Sequence, residues 1–256
     1  MRLRPCLLGL LLAHALPSMA ASVDVEVAGE VRQPGALRLP AGSRFADAVL
    51  AAMPDPQSSY PLAAAALRVQ AAPAQRRLKA GLLFDLQALR DAQGDDAELR
   101  DRLDALASWV QSLPVTGRVI GQLDPRRLEV DRASNRVLAA GDRFVYPPRP
   151  ATITVVGAVV QPCAIAHTAL RDAVDYLRDC AADTRADRNT LYVIQPDGQV
   201  QRLGIAAWNR GAPQSLAPGA VVYVPLDERL LRGHADTFNE DLAAFLATQV
   251  LPVAAP

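Results

Sequence analysis

Lysine is nearly missing from this sequence: Lys79 is the only one among 27 basic residues, the rest being arginine. Against so alanine-rich a background this reflects genome composition rather than function. The chain also lacks charge of a dominant sign, since 27 acidic residues balance the 27 basic ones. No basic block stands out, so there is no electrostatic footprint for nucleic acid or an anionic membrane. Histidine is scarce too. Beyond the first 20 residues only His167 and His234 remain, and neither stands at ligand spacing from a cysteine, so no metal site is expected. G-x-S-x-G, H-E-x-x-H and phosphate-loop motifs are absent, and no cofactor motif is found. Acid pairs such as Asp95-Asp96 have an explanation as helix caps. Two carboxylates facing each other across a cleft, as glycoside hydrolysis requires, leave no mark in sequence and stay open as an alternative. No apolar run reaches the roughly 20 residues that span a bilayer.

What is present begins with an export signal over residues 1–20. Arg2 and Arg4 form a basic start, residues 7–12 an apolar core, and Ser18-Met19-Ala20 a small-residue cleavage site. Cys6 precedes the apolar core, where a lipid-anchor cysteine would not sit. The mature chain then holds two cysteines, Cys163 and Cys180, and an even pair in an exported protein is expected to be oxidised. Geometry agrees. Cys163 starts a short strand, and the helix expected after it runs back to end at Cys180. About five strand residues at 3.3 Å and about twelve helical residues at 1.5 Å cover similar lengths, so the ends should meet.

The stretch Phe144-Val145-Tyr146-Pro147-Pro148-Arg149-Pro150 is a strand end followed by a stiff proline link, and Ile153, Val155 and Val156 resume a strand beyond it. Such a link marks a domain boundary. The sequence repeats across it. Val27-Ala28-Gly29-Glu30-Val31-Arg32-Gln33-Pro34-Gly35-Ala36 and Val155-Val156-Gly157-Ala158-Val159-Val160-Gln161-Pro162-Cys163-Ala164 share V-x-G-x-V-x-Q-P-x-A without gaps. The halves close alike as well, with Leu138-Ala139-Ala140-Gly141 before Phe144-Val145-Tyr146-Pro147 and Leu216-Ala217-Pro218-Gly219 before Val222-Tyr223-Val224-Pro225. The openings lie 128 positions apart and the closings 78, so the first copy carries an insertion of about 50 residues. Each copy reads as strand, turn, strand, helix, hairpin and last strand: an α+β fold of two tandem β-grasp domains.

These motifs resemble the soluble-ligand-binding β-grasp (SLBB) domains of polysaccharide export proteins. Two copies with a helical insertion in the first, Leu113-Pro114-Val115-Thr116-Gly117-Arg118, the Pro147–Pro150 link and a terminal helix resemble the GfcC-type capsule biosynthesis family over nearly the whole mature chain. One departure is Cys163, where the pattern has glycine. The resemblance implies a periplasmic, non-catalytic accessory protein of capsule or exopolysaccharide export. Its partners would be the polysaccharide or an outer-membrane polysaccharide export protein. A polysaccharide-modifying enzyme and a purely structural partner of the export complex are the alternatives.

The expected domains are 21–149 with the insertion at about 60–112, 150–228, and an amphipathic helix at 235–251. Ser43 is expected to cap a helix through Ala52 that buries Ala46, Val49 and Leu50. In the insertion, Leu78, Leu82, Leu86 and Leu89 and then Leu99, Leu103, Leu106, Val110 and Leu113 follow helical spacing, with Asp95 capping the second helix. The result is a helical hairpin whose removal is expected to leave two similar folded units. The hairpin is expected to pack as a shield over one domain, the alternative being a docking surface for another protein because Trp109 lies off the leucine seam. In the second copy, Thr168 is expected to cap a helix to Asp179 that places Ala169, Ala173, Tyr176 and Leu177 on one face, and residues 191–195 and 199–203 form a hairpin about Pro196-Asp197-Gly198. The terminal helix carries a stripe of Phe238, Leu242, Phe245, Leu246 and Val250. Arg118 is the candidate site residue. The family pattern repeats its T-G-R, and its planar fork of donors suits a carboxylate, phosphate or sugar hydroxyls, unless it pairs internally with an acid.

Overall fold

A computed structural model describes residues 21–92 and 96–253. The expected signal at 1–20 and the Gly94-Asp95 break between the inserted helices lie outside the described residues.

The first sheet grows from the alternation Val23, Val25, Val27, whose side chains are buried while Asp24 and Glu26 face out along β1 (Ser22–Gly29). A hairpin returns the chain as β2 (Gly35–Pro40), in register Val27 to Gly35. Strand β5 (Arg143–Tyr146) lies parallel to β1 on its other side. Then come β3 (Ala65–Leu67) and β4 (Arg118–Val119), giving the order β2-β1-β5-β3-β4. The second sheet repeats this strand for strand. It is built from β6 (Thr152–Gly157), β7 (Cys163–Ala166), β8 (Thr190–Ile194), β9 (Val200–Gly204) and β10 (Val221–Val224), in the order β7-β6-β10-β8-β9.

The repeated V-x-G now has a physical cause. Gly29 and Gly157 both have positive φ, at 93° and 97°. A Cβ there would stand 2.1 Å from the Tyr146 carbonyl oxygen and 2.2 Å from that of Val224. Each glycine ends its strand where the neighbouring parallel strand comes too close for any side chain.

Two helices depart from expectation. Helix α1 (Phe45–Ala52) buries Phe45, Ala48, Val49 and Ala52 but leaves Leu50 59% exposed. Phe45 sets the stripe by packing edge-on to Phe144 at 5.3 Å, and five residues at 100° each put Leu50 well off it. Ser43 is not the cap: its carbonyl accepts from Leu138 N, and the Arg44 N–H donates to Asp47 Oδ2 at 2.7 Å instead. The helix expected at 168–179 is a 3-10 stretch, Ala173–Arg178. Asp172 accepts from Gln214 N and the Ala173 N–H donates to Gln214 O, while Leu170 adopts φ 61°. Tethering to residue 214 holds the first turn outside an α-helix. Tyr176 and Ala173 are buried as expected, and Ala169 is exposed.

The inserted helices, α2 (Ala72–Ala92) and α3 (Ala97–Ser112), lie between β3 and β4. The second copy has only its Pro196-Asp197-Gly198 turn at that place. Residues 61–71 include β3, which belongs to the first sheet, so the inserted helices start at 72 rather than near 60. Asp96 caps α3, accepting from Leu99 N at 3.0 Å. Most of the expected seam is buried, with Leu78, Leu106 and Leu113 half-buried, but not over its own domain. Leu82, Leu86, Leu89, Leu99, Leu103 and Val110 join one core with the second sheet, while Val23, Phe45, Val49, Leu128 and Phe144 form a separate first core. Arg185 to Asp96 at 2.7 Å and Arg102 to Asp183 at 3.3 Å tie the hairpin to the second copy.

Short helices α4 (Pro125–Val130) and α5 (Glu228–Leu231) precede the last element, α6 (Phe238–Ala247), which is shorter than 235–251. Helix α6 docks on its own protein, against α2 and the second sheet. Buried Asn239 fixes its position: Oδ1 accepts from the Tyr223 hydroxyl and Leu226 N, and Nδ2 donates to Leu226 O. Among the described residues no helix is long and apolar enough to cross a membrane.

Candidate functional site

Arg118 sits at the junction of the two copies, 5% exposed. From β4 its guanidinium reaches into the second copy and the tail. It donates to Gln249 O at 2.6 Å, to Ala247 O at 3.4 Å, and to Pro196 O in the β8–β9 turn. Gln75 of α2 holds the same segment, donating to Arg118 O and accepting from Gly117 N. Burial pushes the guanidinium down to about 10, partly offset by the nearby Asp197 carboxylate, so the group stays charged at neutral pH. The donor fork expected to hold a ligand is thus occupied by backbone carbonyls. Arg118 is a clamp between domains. Nor is its direct partner an acid, as the internal alternative supposed: Asp197 bonds to Gln122 Nε2 at 2.8 Å and to Gln199 N.

Beside this clamp lies an open polar cleft of about 310 Å³, lined by Gln122, Arg127, Asp131, Ser134, Asp197 and Gln199 among others. It holds two carboxylates, Asp131 and Asp197, as a glycosidase pair would require. Hydrogen bonds from the Ser134 hydroxyl and backbone lower the pKa of Asp131, a direction that suits the ionised member of such a pair rather than its acid. Among the described residues no cluster of histidine, cysteine, aspartate and glutamate could hold a metal ion.

Trp109 is half-buried and packs against the second copy's core. An apolar groove of about 140 Å³ separates α3 (Leu99, Leu103, Leu106, Trp109) from the second copy's repeated motif at residues 157–162, with Arg102, Asp183 and Arg185 at its edge. Below that motif, Cys163 and Cys180 form the expected disulfide, Cα to Cα 6.0 Å. The 3-10 stretch, rather than a full helix, brings the second cysteine back.

Sequence reasoning missed a third place, Trp208, which is 78% exposed. Residues 205–211 follow β9 where the first copy has α4, and fold into a tight loop: Ile205 N donates to Asn189 O and Gly211 N to Gly204 O. A Cβ on Gly204 would stand 2.0 Å from the Asn209 carbonyl oxygen. The loop holds Trp208 at the rim of an open basin of about 330 Å³, lined by Asp187, Asn189, Thr190, Arg202, Gly204, Asn209 and Glu228. Burying a tryptophan would recover about 150–250 Å² of mostly apolar area, so leaving it out forgoes several kcal/mol, of order 3–5. The available signal was a tryptophan among turn-formers, Ala206-Ala207-Trp208-Asn209-Arg210-Gly211, with no helical or strand period to bury it.

Two topologically identical five-stranded sheets, each carrying the same glycine-ended opening strand, define a tandem β-grasp protein of mixed α+β class. Residues 25–52, which hold the second half of β1 together with β2 and α1, match the SLBB domain model, and residues 161–251 match the model described as capsule biosynthesis GfcC C-terminal. The chain is also similar to uncharacterized protein YjbG of Escherichia coli strain K12, with 33% identity over 189 residues, 74% of this chain and 72% of that protein. It belongs to the GfcC-type capsule biosynthesis family.

Proposed function

We propose that the protein is a periplasmic accessory factor of capsule or exopolysaccharide biosynthesis or export, which binds polysaccharide or the export machinery and performs no chemistry itself. The observation that carries this reading is the junction. Arg118 and Asp197, the charged groups best placed for a site between the copies, are engaged in holding the sheets and tail together. That leaves open surfaces elsewhere for binding. The disulfide and the leader-like composition of residues 1–20 support an exported protein.

The test is deletion of the gene in the source organism. Surface polysaccharide should fall and return on complementation, the protein should appear in the osmotic-shock fraction, and the purified protein should retain the polysaccharide without shortening it. Release of smaller oligosaccharides would replace this reading with an enzymatic one. A second reading, a structural partner of an outer-membrane polysaccharide export protein, is favoured by the groove at Leu103, Leu106 and Trp109. Co-purification with the export complex, lost in Trp109→Glu and unaffected by added glycan, would support it.

A further inference from the structure

We propose that the Trp208 basin is a binding site for an uncharged sugar, one that docks a pyranose face on the indole and its hydroxyls on the surrounding amides and charged groups. This deepens the proposed function and rests on it. The basin's walls are unlike the core of a protein-docking patch, which is apolar and depleted of charged residues. Here Trp208 stands alone among Asn189, Asn209, Arg202, Glu228 and Asp187. Amide, guanidinium and carboxylate groups are the donors and acceptors that match vicinal hydroxyls. The one broad π face suits the C–H bonds on the less polar side of a pyranose ring, whose small positive charge meets the ring's negative face.

The indole is also aimed rather than adrift. Its Nε1 donates to Asn189 Oδ1 at 3.3 Å, and Asn209 Nδ2 donates to Asn189 O at 3.0 Å. Asn189 is itself presented by a turn in which buried Asp187 Oδ1 accepts from the N–H groups of Asn189 and Thr190. Among the described residues the Asn189 side-chain NH2 has no acceptor, so it is available to a hydroxyl. The volume, about 330 Å³, sits at the lower end of the roughly 300–1,000 Å³ of small-ligand pockets.

Charge selects the class of sugar. Arg202 donates to Glu228 at 2.5 Å and lies 3.7 Å from Glu240, so its charge is already met within the chain. Asp187 and Glu228 line the basin against this single cation. A uronate, sialate or phosphorylated residue would meet excess negative charge, and a neutral or N-acetylated hexose would not.

The probes are tetrasaccharides of glucose, galactose, mannose and N-acetylglucosamine, with tetragalacturonate as the acidic control. They are titrated into the exported protein by calorimetry, with indole fluorescence followed in parallel. Saturable binding of at least one neutral probe is expected, stronger than that of tetragalacturonate. Trp208→Ala should weaken it about tenfold and Trp208→Phe less, while Phe84→Tyr, at an exposed aromatic of α2 outside the basin, leaves affinity unchanged. Asn189→Ala should also weaken it, and the melting temperature of Trp208→Ala should stay at the wild-type value because the ring is exposed. No binding of any neutral probe, equal affinity in Trp208→Ala, or preference for tetragalacturonate would each overturn the assignment. So would a protein partner captured by the wild type and lost in Trp208→Ala. Failure here is separable from failure of the parent reading: a Trp208→Ala strain with normal surface polysaccharide, beside a deletion strain without it, leaves the accessory role standing and removes this site.

Discussion

Arg118 illustrates how a residue type suited to ligands can be taken by the fold. A guanidinium buried at 5% exposure needs its donors met, and the carbonyls of Pro196, Ala247 and Gln249 meet them, although Nε has no partner among the described residues. Arg118→Lys keeps the charge but replaces a planar fork that reaches two directions with one ammonium. Hydrogen bonds to charged groups are worth about 1.5–3 kcal/mol, so the melting temperature should fall by roughly 4–10 °C in differential scanning calorimetry. Arg118→Ala should fall at least as far, because acceptors in the second copy and tail are left buried and unpaired. Binding of polysaccharide by the protein that remains folded should be unchanged in both. A variant with wild-type melting and lost binding would return Arg118 to the ligand.

At the scale of elements, the disulfide and the inserted hairpin are stabilised in different ways. The bridge closes a separation of 17 residues and acts on the unfolded chain, contributing about 3 kcal/mol in the chain-entropy model. Its presence is expected as a two-proton mass deficit in the non-reduced protein, and Cys163→Ser with Cys180→Ser should lower the melting temperature by several degrees. The hairpin acts on the folded state. Leu82, Leu86, Leu89, Leu99, Leu103 and Val110 are buried in the second copy's core, at about 1.5–3 kcal/mol each as an upper estimate. Their sum, of order 10 kcal/mol, rivals the whole stability of a typical domain. Excision, which the repeat alone suggested would be harmless, should therefore unfold the second copy. Replacing residues 72–112 with a Pro-Asp-Gly turn is expected to give a protein without a cooperative melt, whereas a folded trimmed protein would show the hairpin to be dispensable.

The whole molecule is held together by the hairpin, the Arg118 clamp and the tail. Beyond α6 the chain crosses back to the first copy: Thr248 O accepts from Thr116 Oγ1 at 2.6 Å, and Gln249 Nε2 donates to Pro114 O at 3.2 Å. The Leu251 side chain lies over Gly219 and that of Val253 near Gly29. Deleting residues 249–256 should broaden or split the single calorimetric transition as the copies uncouple. Alkaline pH tests the core in another way. Burial raises the pKa of Tyr146, Tyr192 and Tyr223 above the ordinary value near 10. Above that pH the unfolded chain releases protons the native state keeps, so stability falls as pH rises. It is fully present below about 10 and lost progressively beyond it. Arg118, lowered to about 10, has the opposite sign between that value and its ordinary one, but it is one group against four once Tyr60, also raised by burial, is included. The urea midpoint should hold to about pH 10 and then drop, and Tyr223→Phe should make that drop shallower.

Much of this was legible without coordinates. Two copies, the glycines at 29 and 157, the hairpin about Pro196-Asp197-Gly198, the leucine spacing of α2 and α3 and the cysteine pair all follow from local rules: strand alternation, turn sterics, helical period and the parity of cysteines in an exported chain. What the tertiary structure alone decided was choice of partner. Hydrophobic burial is non-directional, so a leucine stripe says that it will be covered and not by which sheet, and here the insertion in the first copy covers the second. Tethering to Gln214 turned an expected helix into a 3-10 stretch, a contact 42 residues away that no local pattern records. Arg118 found backbone carbonyls, and because every residue carries one, such a partner leaves no trace in the sequence.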